Sequence, residues 1–147
     1  MKSITAVLLS SVIAALIAGC GGAADTEPDT GPVDRQYRLE ALMIGYIGQG
    51  GEIDGEKNPV LRARQGESVE IVIVNGERMV HDIAFRRHRV RSDTILEHGA
   101  TTSITFIAET DDTYYCTIPG HLEAGMAGEF RLIEGPSDPA EAGSGPG

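Results

Sequence analysis

The sequence predicts an all-β fold, a two-sheet Greek-key β-sandwich of roughly seven to eight short strands. Three observations carry this expectation. Short apolar and β-branched runs alternate with turn signals such as Asp54-Gly55, Gln65-Gly66 and Asn75-Gly76. Nineteen Gly and seven Pro, with no Trp, suit a turn-rich chain better than a helical bundle. No stretch sustains the 3.6-residue apolar period that an amphipathic helix needs. With 41% hydrophobic and 23% charged residues, the chain has material for one core.

The elements follow in order. Residues 35–44 read as a first strand, followed by a Gly-rich excursion through Gly45, Gly48, Gly50 and Gly51. Residues 60–64 alternate and form a second strand. Residues 68–74, Ser-Val-Glu-Ile-Val-Ile-Val, are rich in β-branched residues and predict a central buried strand. Residues 80–85 form the next strand, with residues 87–91 as a continuing edge. Residues 101–108, 113–116 and 128–133 complete the set. Tyr114 and Tyr115 alternate in direction, so one packs inside, with Cys116 on the opposite face from Tyr115.

The flanks are expected to lie outside this domain, residues 35–134. Lys2 precedes an apolar run from Ile4 to Ala18 that would span about 22 Å as a helix, short of the ~30 Å hydrocarbon core. A secretory leader over residues 1–19 fits better than a membrane span. The run ends Ile17-Ala18-Gly19-Cys20, which resembles a bacterial lipoprotein processing box. That resemblance implies cleavage before Cys20 and lipidation of its thiol. It further implies a cell-envelope location on the periplasmic face of a membrane. In a Gram-negative host, Gly21 in place of Asp favours the outer membrane. Residues 20–34 carry Asp25, Glu27, Asp29 and Asp34 with no basic partner before Arg35, and read as a flexible acidic tether. Residues 135–147 are rich in Gly, Pro and Ser and read as a tail. A net charge of −10 argues against a nucleic-acid partner.

With Cys20 lipidated, Cys116 is the remaining thiol of two, so no intramolecular disulfide can form. A metal would shield such a thiol from oxidation. Cys116, His121 and Met126 follow a Cys-x4-His-x4-Met spacing between two predicted strands, and His81 lies upstream on a third. One thiolate, two imidazoles and a thioether are the donor set of a blue copper site. Sulfur donors favour Cu(I), whereas imidazole tolerates Cu(II). Gly120, Gly125 and Gly128 allow a tight loop, and Pro119 stiffens it. Zinc also accepts Cys and His, but thioether suits it poorly. A Cys/His nucleophile lacks any legible oxyanion hole.

The segment Tyr114-Tyr115-Cys116-Thr117-Ile118-Pro119-Gly120-His121, continuing to Ala124-Gly125-Met126, resembles the copper loop of the cupredoxins. It is most similar to the cupredoxin domains of copper nitrite reductases and multicopper oxidases. The upstream residues Asp54-Gly55, Asn58-Pro59, Gly66-Glu67, Asn75-Gly76-Glu77 and His81-Asp82 extend the resemblance over nearly the whole domain. It implies one type 1 copper held by His81, Cys116, His121 and Met126, with single electrons leaving through the edge of His121.

Asp82 stands where many cupredoxins have Asn, and is expected to brace the two ligand-bearing loops and tune the potential, or else to be a solvated turn carboxylate. The chain has four His, too few for the second copper centre of a reductase or oxidase, so turnover of substrate by this chain alone is not expected. His88 and His98 are expected at the surface. The basic run Arg86-Arg87-His88-Arg89-Val90-Arg91 reads as a solvated edge that discourages strand pairing, with steering of an acidic redox partner as the sharper alternative. The functional expectation is a monomeric, lipid-anchored electron carrier. Its partners would be redox proteins such as a c-type cytochrome or a copper reductase or oxidase. Copper buffering or delivery, and service as the electron-donor subunit of a nitrite or oxygen reductase, are the alternatives.

Overall fold

The computed structural model describes residues 32–135. The predicted leader, Cys20, most of the tether and the tail beyond residue 135 lie outside the described residues. Among the described residues nine strands run in chain order: β1 (Arg35–Leu42), β2 (Gly45–Gly48), β3 (Leu61–Ala63), β4 (Ser68–Asn75), β5 (Ala84–Phe85), β6 (Val90–Arg91), β7 (Thr101–Ile107), β8 (Asp112–Tyr115) and β9 (Ala127–Leu132). They form a four-stranded sheet of order β2-β1-β4-β7 and a five-stranded sheet of order β3-β9-β8-β5-β6. The pairs β1–β4 and β3–β9 are parallel and the rest antiparallel. Parallel neighbours cannot be joined by a tight hairpin, so the chain crosses between the sheets and closes a sandwich.

Strand β4 shows why. Val69, Ile71 and Ile73 point inward and are fully buried, while Glu70, Val72 and Val74 alternate outward. Leu39, Leu61, Phe85, Tyr114 and Phe130 from the other strands, and Ile83 just before β5, meet them, each 1% exposed or less. Each such side chain contributes about 1.5–3 kcal/mol relative to exposure. The rings of Phe85, Phe106 and Phe130 lie with centroids 4.7–5.8 Å apart and fill the end of the core away from Cys116.

Several local expectations are corrected. The Gly-rich excursion contains a strand, β2, because Gly48 lets the carbonyl of Ile53 approach to where a Cβ would sit 1.9 Å away. Residues 80–85 do not form one continuous strand. His81 makes an isolated bridge with Ile95, and only Ala84–Phe85 joins the sheet. Between them, Ile83 donates its N–H to the Ser92 hydroxyl at 3.1 Å instead of to a strand neighbour. Residues 86–89 are a turn, with Arg89 at φ 57°, so the edge strand is reduced to Val90–Arg91.

His88 is not at the surface. Its side chain is 2% exposed and its ring packs 4.5 Å from that of Phe106. Nδ1–H donates to Asp112 at 2.8 Å, and Nε2 accepts the Glu109 N–H at 3.2 Å, which sets the neutral tautomer. Asp112 also takes the N–H groups of Arg87, His88 and Thr113. This histidine braces the turn and belongs to the core. His98 is exposed, as expected.

Candidate metal centre

Cys116 follows β8 directly and is 1% exposed. Its N–H donates to the Met126 carbonyl at 3.1 Å, and the Met126 N–H donates to the His121 carbonyl at 2.9 Å. These bonds close a loop over residues 117–125 before β9 begins. The loop reverses twice at Gly120 (φ 88°) and Gly125 (φ 102°), in the left-handed region that glycine occupies without a Cβ penalty. Asn58 anchors it from outside. Its Nδ2 donates to the Gly125 carbonyl at 2.8 Å while its Oδ1 accepts the Tyr46 N–H at 2.9 Å.

This closure brings His121 Nδ1 to 3.5 Å from Cys116 Sγ. His81, held by two backbone bonds to Ile95, places its ring centroid 4.9 Å from that of His121. One donor atom from each of His81, Cys116 and His121 lies within 4.8 Å of the other two. Residues 81 and 116 are thus neighbours, although 35 positions separate them along the chain. Met126 is fully buried at the root of the same loop. His121 is 4% exposed, next to the exposed Leu122.

The chemistry of the cluster fits a copper ion. His81 Nε2–H donates to Glu77 Oε1 at 2.9 Å, which leaves Nδ1 as the bare nitrogen. That Nδ1 is buried and has no hydrogen-bond partner. An unpaired buried acceptor is costly, and a cation is the partner it lacks. Burial pushes the Cys116 thiol above its ordinary pKa, against the N–H groups of Asp82 and Ile118 directed at the sulfur. Burial likewise lowers the His81 pKa, against the pull of Glu77, so the ring favours the neutral form a metal needs. Two imidazoles and a shielded thiol converge in one buried space.

The surroundings hold the ligands in place. Asp82 is completely buried, which removes the reading of a solvated turn carboxylate. Its Oδ1 accepts the Thr117 N–H at 2.7 Å, and its Oδ2 accepts the Thr117 hydroxyl at 2.5 Å and Arg91 Nε at 2.7 Å. Burial alone would raise its pKa, but the Thr117 and Arg91 bonds outweigh that and hold it below the ordinary carboxylate value. Tyr46, also fully buried, donates its hydroxyl to the Asp82 carbonyl at 2.5 Å. Tyr114 is buried with Cys116 and donates to the Pro59 carbonyl at 2.7 Å, whereas Tyr115 points outward beneath Arg86.

The model of copper-binding proteins of the plastocyanin/azurin family matches residues 57–132. The chain belongs to this family. Cupredoxin membership and the His81/Cys116/His121 cluster together identify a type 1 copper site and imply electron transfer. Solved cupredoxin structures share the fold. Auracyanin of the photosynthetic bacterium Roseiflexus castenholzii aligns with a TM-score of 0.54 and 14% identity over 71% of this chain and 100% of its own. Rusticyanin of Thiobacillus ferrooxidans aligns at 0.52 with 19% identity, covering 67% of this chain and 76% of that one. The McoA multicopper oxidase of Aquifex aeolicus aligns at 0.54 with 19% identity, over 69% of this chain and 27% of the oxidase. No curated protein sequence matches the chain.

Sequence reading passed over Glu77, Arg91, Tyr46 and Asn58 as parts of this cupredoxin site. Glu77 had a signal, an acidic residue four positions before a ligand on a short turn. Arg91 reaches the site through the β5–β6 pairing and Tyr46 by crossing from the other sheet, and spacing shows neither.

Proposed function

We propose that this cupredoxin is a lipid-anchored, one-electron carrier of the cell envelope rather than an enzyme. The observation that carries the reading is the convergence of His81, Cys116 and His121 in a buried space with Met126 at the root of their loop. A bound copper supplies one-electron chemistry between Cu(II) and Cu(I). His81, Cys116 and His121 would hold it, with the Met126 thioether as a further, weaker donor. Asp82, Glu77 and Asn58 brace the ligand-bearing segments, which would limit how far the ligands move between the two oxidation states. The narrow exposed edge of His121 is the contact for a partner, and the neighbouring Leu122 gives it an apolar rim. The partner is a redox protein such as a c-type cytochrome or a copper reductase or oxidase, met by a monomer. Cys20 would carry the lipid that anchors the chain to the membrane.

The test is a visible absorption and paramagnetic-resonance spectrum of the copper-loaded chain. Intense sulfur-to-copper charge transfer should vanish on reduction and in Cys116→Ser, and weaken or shift in Met126→Leu. A chain that binds copper without that absorption refutes the assignment. The anchor is tested separately. Wild type should partition into detergent after expression in a bacterium, and Cys20→Ser should not.

A further inference from the structure

The basic run 86–91 plays no part in holding the metal, yet it is tied to the site through Asp82. Asp82 follows the ligand His81, and its partner Thr117 follows the ligand Cys116. The carboxylate therefore grips the residues next to two donors that come from different parts of the chain. Its third bond goes to Arg91 on β6, an edge strand of the five-stranded sheet. Arg91 stands opposite Ala84 in the β5–β6 ladder, and its side chain is 54% exposed. One end of this ion pair is buried beside the ligands, and the other lies in solvent.

An amide at position 82 could accept the same Thr117 N–H without a charge. A carboxylate adds a negative charge in a dry place, which demands a counter-ion. No other cationic side chain among the described residues pairs with Asp82. We propose that Arg91 is a positioning residue for the copper centre, acting through Asp82. It holds the carboxylate against Thr117 and offsets a negative field that would otherwise favour Cu(II) over Cu(I). This rests on the copper reading above.

The experiment compares wild type, Arg91→Gln, Asp82→Asn and the double variant in two measurements. The first is the reduction potential of the copper-loaded chains, followed through the visible band. Arg91→Gln should move the Cu(II)/Cu(I) equilibrium about tenfold toward Cu(II), a potential lower by about 59 mV for one electron. In the Asp82→Asn background the same change should fall below about twofold. The second is urea unfolding of the copper-free chains. There Arg91→Gln should lower the folding equilibrium constant about tenfold alone and less than about twofold beside Asp82→Asn. Arg91→Lys, which keeps the charge, should recover most of the potential. Equal shifts in both backgrounds would mean that Arg91 acts as an ordinary surface charge, and would overturn the proposal. So would no shift in wild type. Failure of the copper reading would show as a missing charge-transfer band in wild type, while the copper-free coupling still decides the ion pair.

Discussion

Gly128→Ala should be the most damaging single-methyl addition near the copper loop. Gly128 sits two residues beyond Met126 on β9 and pairs directly with Tyr114 on β8. The Tyr114 ring folds over it so closely that an added Cβ would lie 2.2 Å from both Cζ and Oη. Tyr114 cannot swing aside, because it is fully buried and its hydroxyl is committed to the Pro59 carbonyl at 2.7 Å. Overpacking of this kind costs about 1–3 kcal/mol. Displacing the hydroxyl leaves a buried carbonyl unpaired, at about 1–3 kcal/mol more. Alanine returns about 0.4–1 kcal/mol by restricting the unfolded chain. The net expectation is a loss of about 1–5 kcal/mol. Gly76→Ala is the control. Its Cβ would also meet atoms at 2.6–2.7 Å, but these belong to the flexible Leu42 and Glu40 side chains, which can turn away. It should cost under about 1 kcal/mol. The chain has no Trp, so unfolding in urea is best followed by far-ultraviolet circular dichroism. A Gly128→Ala chain within about 0.5 kcal/mol of wild type would refute the claim that Tyr114 is locked.

Other outcomes follow from the same geometry. Asp82→Asn should keep the intense visible band and raise the reduction potential, because a buried negative charge disappears; an unchanged potential removes its tuning role. Glu77→Gln keeps a weaker acceptor for His81 Nε2–H and should raise the potential in the same sense, measured by the same titration. Glu67 accepts from Arg35 Nε at 2.9 Å, which holds its pKa at about 2 against an ordinary 4.5. A folded-state value below the unfolded one means stability that is complete above about pH 4.5 and is lost as pH falls through about 2. The shift is equivalent to about 3 kcal/mol, and partial exposure of Arg35 reduces it to about 1–2 kcal/mol. Glu67→Gln should therefore flatten the acid limb of a stability-against-pH curve, and an unaltered limb would dismiss the pair. Adding copper to the wild-type chain should raise its thermal midpoint, and Cys116→Ser should abolish most of that rise.

Much of this protein was legible in local pattern. The alternation of β4, the turn pairs and the lack of helical period announced a β-sandwich, because period-two burial depends only on neighbouring residues. The Cys116–His121 spacing announced a metal loop, since one short segment supplies both side chains. Where local pattern misled, side chains had replaced backbone partners. Ser92 takes the N–H of Ile83 and breaks the expected strand, and Asp112 draws His88 into the core.

By itself the sequence determined the fold class, the donor types and the tight turns of the loop, all of which are properties of residues close together in the chain. Only the tertiary structure decided that His81 reaches Cys116, that its Nδ1 is the free nitrogen, and that Arg91 rather than solvent faces Asp82. Those facts depend on sheet order and register. Such pairings join residues tens of positions apart, and their energy comes from burying both sheets together rather than from any one segment.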